Sequence, residues 1–364
     1  MRKHLLVLAA SIAALTAAAS GITFRYYPYE LRLRHSFNLA AMSRTVTPGV
    51  QVELRLDSIT GYGEASMPPY LGESVESVTA FLSKIDPARL QNPFALEDIH
   101  AYMDSIAPGN HAAKAAVDIA LHDLTGKLMG QPWYAIYGLD PAKAPCTSYT
   151  VSNDTPEVLA QKIAEAEPYA VIKVKMGVPG DRELIETIRR HTDKPICVDA
   201  NQGWKTREEA LDNILWLADK NCLFIEQPMD RNDPDSHAWL KERSPLPIIA
   251  DEAVQTSADI PALARAYDGV NIKLMKCGGL YDAYRMAILA RSLGLKVMIG
   301  CMTETSCAIS AAAQLAPLAD WVDLDGNLLI ANDLFDGMKI VDGRVILSVL
   351  PGIGIVPAAE VSAE

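Results

Sequence analysis

The sequence predicts an α/β protein: a barrel of eight β/α units, its first or last unit modified, behind an N-terminal α+β cap. Three observations predict it. From Cys146 onward, short apolar runs alternate with amphipathic helical stretches, the rhythm of a closed parallel barrel. Residues 22–65 instead alternate apolar with polar, and residues 74–130 carry helical spacing, a β-then-α block foreign to a barrel. Finally, successive apolar runs end in charged residues: Lys173 and Lys175, then Asp199, Glu226, Asp251 and Lys273. In a parallel barrel such strand ends gather on one rim, where catalytic groups sit.

Taken in order, Arg2, Lys3 and His4 precede LLVLAASIAALTAAAS, which has the pattern of a secretory signal peptide over 1–20 and is short for a membrane span. The expectation is a periplasmic or otherwise exported protein with no stable membrane anchor; a cytoplasmic protein is the alternative, and an uncleaved anchor helix the competing structural reading. Residues 21–140 form the expected cap. ITFRYYPYELRLRHSF and GVQVELRLDSITGYGEA read as strands, and NLAAMSRTVTPG between them as a loop reaching toward the barrel mouth. AAKAAVDIALHDLTGKLMG reads as a helix stopped by Gly130. Residues 141–345 form the expected barrel, with strands near 146–151, 169–175, 195–199, 222–226, 247–251, 268–273, 295–300 and 320–325. The clearest helices between them are 206–220, 280–293 and 307–316. Residues 346–364 are a C-terminal segment free to return to the cap.

Composition narrows the function. The 364 residues are 49% hydrophobic and 21% charged, ordinary for a globular enzyme, and the net charge of −12 leaves no basic surplus to meet nucleic acid or an anionic membrane. The six cysteines include no C-x-x-C pair and no dense framework, so neither zinc nor a disulfide scaffold is indicated. Cys197, Cys222, Cys277 and Cys301 fall in or beside strands, where thiols act as small buried hydrophobes.

Period-two alternation selects the rim residues. In VIKVK, Lys173 and Lys175 share the inward face, because Ile172 and Val174 must meet the surrounding helices. In VNIKL, Lys273 shares a face with Asn271, which selects it over Lys276, beyond the strand. Asp199, Glu226 and Asp251 end consecutive strands. Three oxygen ligands without histidine or cysteine suit Mg²⁺, with Mn²⁺ as a substitute; three carboxylates so close repel one another without a cation. A carboxylate substrate held there, between opposed lysines, is an arrangement for moving the proton on the adjacent carbon. In WVDLDG, Asp323 and Asp325 share a face at the end of the last strand, a pair suited to an ammonium group, although Asp325 before Gly326 also reads as a turn residue.

These residues carry a resemblance. GYGEA at 61–65, AAKAAVDIALHDLTGK at 112–127, KVK at 173–175, DANQGW at 199–204, EQP at 226–228, ADEA at 250–253 and IKLMKCGG at 272–279 resemble the muconate-lactonizing subgroup of the enolase superfamily. TSYTVSND at 147–154, MIGCMTETS at 298–306 and the D-x-D at 323–325 look most like its dipeptide epimerases, of the L-Ala-D/L-Glu type. The resemblance implies a capping domain over a modified (β/α)7β barrel. It implies Mg²⁺ on Asp199, Glu226 and Asp251, with Lys175 and Lys273 as acid/base catalysts and Lys173 assisting electrostatically. It also implies that Asp323 and Asp325 hold the dipeptide's ammonium group and that Arg44, in HSFNLAAMSRT, meets the side-chain carboxylate of a C-terminal Glu. The partner is then a small dipeptide, a homo-oligomer is allowed, and the setting is the processing of peptidoglycan fragments. Members of this type are commonly cytoplasmic, from which the signal-like N-terminus departs.

Other reactions of the subgroup (cycloisomerisation, o-succinylbenzoate synthesis, N-acylamino acid racemisation) share the lysines and acids, but have no ammonium for the D-x-D to bind. A non-catalytic exported dipeptide-binding protein needs neither Lys175 nor Lys273.

Overall fold

The computed structural model describes residues 21–39, 42–67, 71–152 and 154–358, and the side chains over 35–44 lie outside that description. Residues 1–20, where the signal peptide is expected, are also outside the described residues. Among the described residues, no helix is long and apolar enough to cross a membrane.

The cap opens with an antiparallel sheet in the order β1 (Thr23–Leu39), β2 (Met42–Leu56), β3 (Ile59–Ser66). Alternation turns Val50, Val52 and Leu54 to its buried face. Against the sheet pack α1 (Val75–Leu82) and α3 (His111–Met129), with α2 (Leu96–Ile106) beside α3. The contact of β3 with α3 is close enough to require glycine: a Cβ at Gly63 would stand 1.9 Å from the Ala116 carbonyl oxygen. Every residue of α3 from Ala112 to Gly126 is buried, because the helix is enclosed by the cap sheet on one side and barrel segments on the other.

One expectation is corrected here. The described residues of NLAAMSRTVTPG continue the strands: Phe37 pairs with Arg44, Asn38 with Ser43 and Leu39 with Met42, after a register shift beyond Arg32. The ladder is made by main-chain groups, which small and polar residues supply as well as apolar ones. The Arg44 side chain itself lies outside the described residues.

The barrel has eight parallel strands that neighbour one another in chain order: β4 (Ser148–Val151), β5 (Val171–Lys175), β6 (Ile196–Asp199), β7 (Cys222–Glu226), β8 (Ile248–Ala250), β9 (Gly269–Ile272), β10 (Lys296–Gly300) and β11 (Trp321–Asp323). Among the described residues, helices α4 (Pro156–Glu165), α5 (Asp181–His191), α6 (Arg207–Ala218), α7 (Pro234–Lys241), α8 (Ile260–Leu263), α9 (Leu280–Ser292) and α10 (Ser306–Ala313) follow the first seven strands. Only a 3₁₀ turn, Gly326–Leu329, directly follows β11, which makes the architecture (β/α)7β. The ring is nearly closed: Thr147 bridges Val322 in parallel, and the Leu324 N–H donates to Thr147 Oγ1 at 2.9 Å.

Alternation divides the barrel into layers. Outward residues such as Ile172, Val174, Val198, Ile225 and Val270 join the main core beneath the helices. Inward, Cys197, Phe224, Ile249 and Met298 make a separate apolar plug, with Val171 and Trp321 packed on it. Each plug residue of β6, β7 and β8 stands two positions before a carboxylate, so the plug is the floor on which the rim charges rest. Cys222, Cys277 and Cys307 are also buried as free thiols, but Cys301, expected among the buried ones, is half-buried at the rim.

Cap and barrel are fastened by buried acids. Asp118 of α3 accepts the Leu280 N–H at 2.5 Å, capping α9, and pairs with His100 of α2 at 2.7 Å. Gly279, with φ of +123°, lies so close that a Cβ there would strike the Asp118 carboxylate. Glu64 of β3 accepts the Thr305 N–H at 2.9 Å and the Ala308 N–H at 3.2 Å, capping α10. The C-terminal chain returns to the cap, its Ile353 N–H donating to Asp123 at 3.2 Å.

Candidate active site

Pairing register sets the centre of the rim: Lys175 is aligned with Asp199, and Asp199 with Glu226. Asp251 and Lys273 come one residue past the ends of β8 and β9. The carboxylate oxygens of Asp199, Glu226 and Asp251 lie within 4.8 Å of one another, and all three residues are buried.

Lysines surround these acids. Lys173 Nζ lies 2.6 Å from Asp323 Oδ2, 2.8 Å from Glu226 Oε2 and 3.3 Å from Asp199 Oδ2. Lys175 donates to Asp199 at 2.6 Å and Lys273 to Asp251 at 2.8 Å. Because β5 and β9 are four strands apart in an eight-stranded ring, Lys175 and Lys273 approach the acids from opposite sides. Lys276, set aside in the sequence because it falls past the strand, returns into the site. It lies in the helical turn Leu274–Cys277, and its Nζ donates to Asp251 Oδ1 at 2.5 Å, to the Asp251 carbonyl at 2.6 Å and to the Asn271 carbonyl at 2.9 Å.

The three acids are not electrostatically alike. Burial opposes the charge of Asp199, yet Lys175 and then Lys173 hold its carboxyl below the ordinary range. Burial also opposes the charge of Asp251, and Lys273 with Lys276 holds it well below. At Glu226, burial and then the charge of Asp199 prevail and push the carboxyl up to about 7. Glu226 Oε1 accepts from Asn271 Nδ2 at 2.7 Å, while Oε2 is buried with no hydrogen bond; its contact with Lys173 lacks hydrogen-bond geometry. Lys173 is pulled the other way: burial disfavours its charge, but Asp323, Glu226 and Asp199 raise it well above the ordinary lysine value.

A hard divalent cation fits this donor set: three clustered carboxylates, oxygen ligands only, and one buried oxygen left without a donor. The four lysines answer part of the repulsion expected among the acids, and the unanswered part falls on Glu226.

Asp323 ends β11, its Oδ1 accepting from Ser148 Oγ at 2.8 Å and its Oδ2 from Lys173. Asp325 does not extend that strand; it stands at the start of the 3₁₀ turn, where its carboxylate accepts the Thr150 N–H at 2.7 Å and ties the last strand to the first. Burial and then Asp323 push Asp325 up to about 6. Glu304 was not singled out from the sequence. It is buried beyond the end of β10, and burial followed by the charge of Glu64 pushes it up to about 8, with Lys273 opposing. It stands in the loop beyond β10, past the strand end where alternation marks the other rim residues.

Comparison with known proteins joins the two halves of this picture. Residues 22–138 match the N-terminal domain of the mandelate racemase / muconate lactonizing enzyme family, and residues 157–361 match the enolase C-terminal domain-like family. The chain belongs to the enolase superfamily. This superfamily member is 56% identical over 331 residues to an L-Ala-D/L-Glu epimerase of Bacteroides thetaiotaomicron, covering 91% of this chain and 86% of that protein. It is 39% identical to an L-Ala-D/L-amino acid epimerase of Pedosphaera parvula, over 90% of this chain and 96% of that one. Among solved structures, a substrate-liganded L-Ala-D/L-Glu epimerase of Bacillus subtilis superposes with a TM-score of 0.86 at 29% identity, covering 93% of this chain and 99% of that one. A dipeptide epimerase of Cytophaga hutchinsonii, complexed with Mg and the dipeptide D-Ala-L-Val, superposes at 0.85 with 29% identity, covering 94% and 97%.

Proposed function

We propose that this chain is an isomerase, a metal-assisted dipeptide epimerase that inverts the α-carbon of a dipeptide's C-terminal residue, with L-Ala-D/L-Glu as the favoured substrate. The observation that carries the reading is the pair of lysines on opposite sides of the barrel, Lys175 and Lys273, each bonded to a different carboxylate of one buried triad. A proton removed on one face and returned on the other inverts a stereocentre; a binding protein needs no such pair.

Asp199, Glu226 and Asp251 would hold Mg²⁺, with Mn²⁺ as a substitute. Bound there, the cation supplies positive charge at the substrate carboxylate as its α-proton leaves. The remaining work belongs to the chain. Of Lys175 and Lys273, the one facing the α-proton takes it as a neutral amine, and the other, as an ammonium, gives a proton to the opposite face of the α-carbon, so the pair ends with its protonation exchanged. Lys173, held in its charged form, adds positive potential to the same rim. Asp323 and Asp325 receive the substrate ammonium. The guanidinium of Arg44 matches a side-chain carboxylate in bidentate fashion, which favours Glu or Asp at the C-terminal position. The relatives and solved neighbours support this reading by their names and bound dipeptides.

A screen of L,L-dipeptides in D₂O, read by mass for α-deuterium, tests it; no exchange in any dipeptide with Mg²⁺ present would refute the activity. N-acetylated dipeptides should be poor substrates, and turnover equal to that of the free dipeptides would remove the ammonium role of Asp323 and Asp325. Arg44→Ala should cut efficiency on L-Ala-L-Glu by about ten- to a hundredfold and spare dipeptides with an uncharged C-terminal residue, consistent with losing one charge-assisted contact. We further propose export to the periplasm and a role in peptidoglycan peptide metabolism, supported by the basic-then-apolar N-terminus and the small residues that follow it. Isolating the protein with Met1 intact from cytosol alone would contradict export.

A further inference from the structure

Gln227 follows Glu226 and is fully buried. Its φ of +36° lies in the left-handed region that an L side chain rarely adopts, so the surroundings must hold it there. Every polar group of this residue is used. Its N–H donates to the Ile249 carbonyl at 2.9 Å, and its carbonyl accepts the Gln202 N–H at 2.8 Å. Its Oε1 accepts two main-chain donors, Asp251 N–H at 3.0 Å and Ala253 N–H at 3.1 Å. Its Nε2 donates to the Met229 carbonyl at 3.1 Å and to Tyr267 Oη at 3.0 Å.

The partners matter more than their number. Gln202 belongs to the loop that leaves Asp199, Gln227 itself adjoins Glu226, and the Oε1 bond ends on the main chain of Asp251. One side chain and its peptide group therefore connect the segments bearing all three carboxylates, which lie 52 residues apart from first to last in the sequence. The connection is two-sided: the amide oxygen fixes Asp251, while the amide nitrogen is anchored below by Tyr267, whose ring lies tilted against His237 at 4.7 Å between centroids. A residue without an acceptor at this point leaves the Asp251 and Ala253 N–H groups buried and unmatched. A carboxylate keeps the acceptor and loses both donations from Nε2.

We infer that Gln227 is a positioning residue for the metal triad, fixing the mutual geometry of Asp199, Glu226 and Asp251 and so favouring a small, strictly octahedral cation over a larger one. The inference rests on the reading that the triad holds Mg²⁺. Mg²⁺ demands near-ideal octahedral geometry, whereas Ca²⁺ accepts longer and more variable arrangements. Loosening the triad therefore weakens Mg²⁺ more than Ca²⁺, a signature that loss of packing alone does not give.

The test is isothermal titration of the chelator-stripped full chain with MgCl₂ and, separately, CaCl₂, beside the melting temperature of the metal-free protein. Two variants are compared with the parent. Gln227→Met keeps the length and removes the polar groups; Gln227→Gly removes the side chain and relieves the positive φ. Each should weaken Mg²⁺ binding by about ten- to a hundredfold, the usual effect of losing an outer-shell partner, and Ca²⁺ binding by clearly less. An unchanged Mg²⁺ constant, or equal loss for both ions, in either folded variant overturns the positioning role. Recovery of parental affinity in Gln227→Gly also overturns it, because backbone conformation alone would then explain the site. A parent protein that binds no Mg²⁺ shows instead that the metal reading has failed.

Discussion

Asp118 in the cap helix and Glu226 on the barrel rim are both fully buried carboxylates, and the fold treats them in opposite ways. Asp118 has directed donors on both oxygens: His100 on Oδ1, and the Leu280 and Tyr281 N–H groups on Oδ2, with His122 Nδ1 also 3.3 Å from Oδ2. Although burial opposes its charge, His122 and His100 hold it far below the ordinary carboxylate range. Glu226 receives one amide donor, faces two other acids and is pushed up to about 7. Glu64 resembles Asp118, with Tyr29, Thr305 and Ala308 around it, although burial still leaves its carboxyl raised. The difference separates a fastening from a site. A buried acid whose oxygens are each met by a directed donor, some of them main-chain amides of another domain, joins two pieces of structure. Buried acids placed against one another retain an unmet demand for positive charge, which a ligand can meet.

The strongest test of this distinction is at the lysines. Lys175→Ala and Lys273→Ala should each reduce epimerisation by about 10²- to 10⁴-fold, the range for losing a general acid or base. Each should keep α-proton exchange, if any, only on the epimer facing the surviving lysine; equal loss from both epimers would leave the two-base assignment without support. Next come two substitutions with crossed outcomes. Glu226→Gln should weaken Mg²⁺ binding at least about a hundredfold while leaving the metal-free melting temperature unchanged or higher, since it removes a charge that burial opposes. Asp118→Asn should leave Mg²⁺ affinity unchanged and destabilise the fold by about 3–5 kcal/mol, the cost of breaking a buried pair. If both variants lose metal affinity and stability alike, the comparison fails.

Glu64→Gln, which keeps acceptor capacity but not charge, should cost about 1–3 kcal/mol by denaturant titration. The smallest effect concerns pH. Burial lowers the His100 value, but the hydrogen bond and charge of Asp118, with Asp104 and Asp282 adding, leave it raised. A raised histidine contributes stability that is complete below its unfolded value and lost as pH rises through its folded value. The melting temperature should therefore fall on the order of 1 °C as pH rises across that window, and His100→Gln should flatten this part of the profile. A fall of the same size in the variant would assign it to another group.

Legibility in the sequence followed the range of the signal. The eight strands and the inward placement of Lys173, Lys175, Asp199 and Glu226 were readable because alternation is a property of adjacent residues. Asp251 and Lys273 were readable for the same reason, although both fall one residue past their strands. Asp325 was placed on the β11 face because alternation gives no warning of where a strand stops, and the 3₁₀ turn begins there. The pairing of residues 37–39 with 42–44 is not legible because its ladder depends on main-chain groups that composition does not report.

The sequence by itself determined that Lys173, Lys175, Asp199, Glu226, Asp251 and Lys273 face into the barrel and share its rim. This follows from a two-residue period and the burial of apolar faces. Only the tertiary structure decided how those charges are shared. Lys276 returns from beyond its strand to Asp251, Glu304 is raised by burial and by Glu64, and Gln227 joins the three acid-bearing segments through its side-chain amide and its peptide group. Burial in a common low-dielectric space sets these relations, and that space exists only once residues distant in the chain have closed around it.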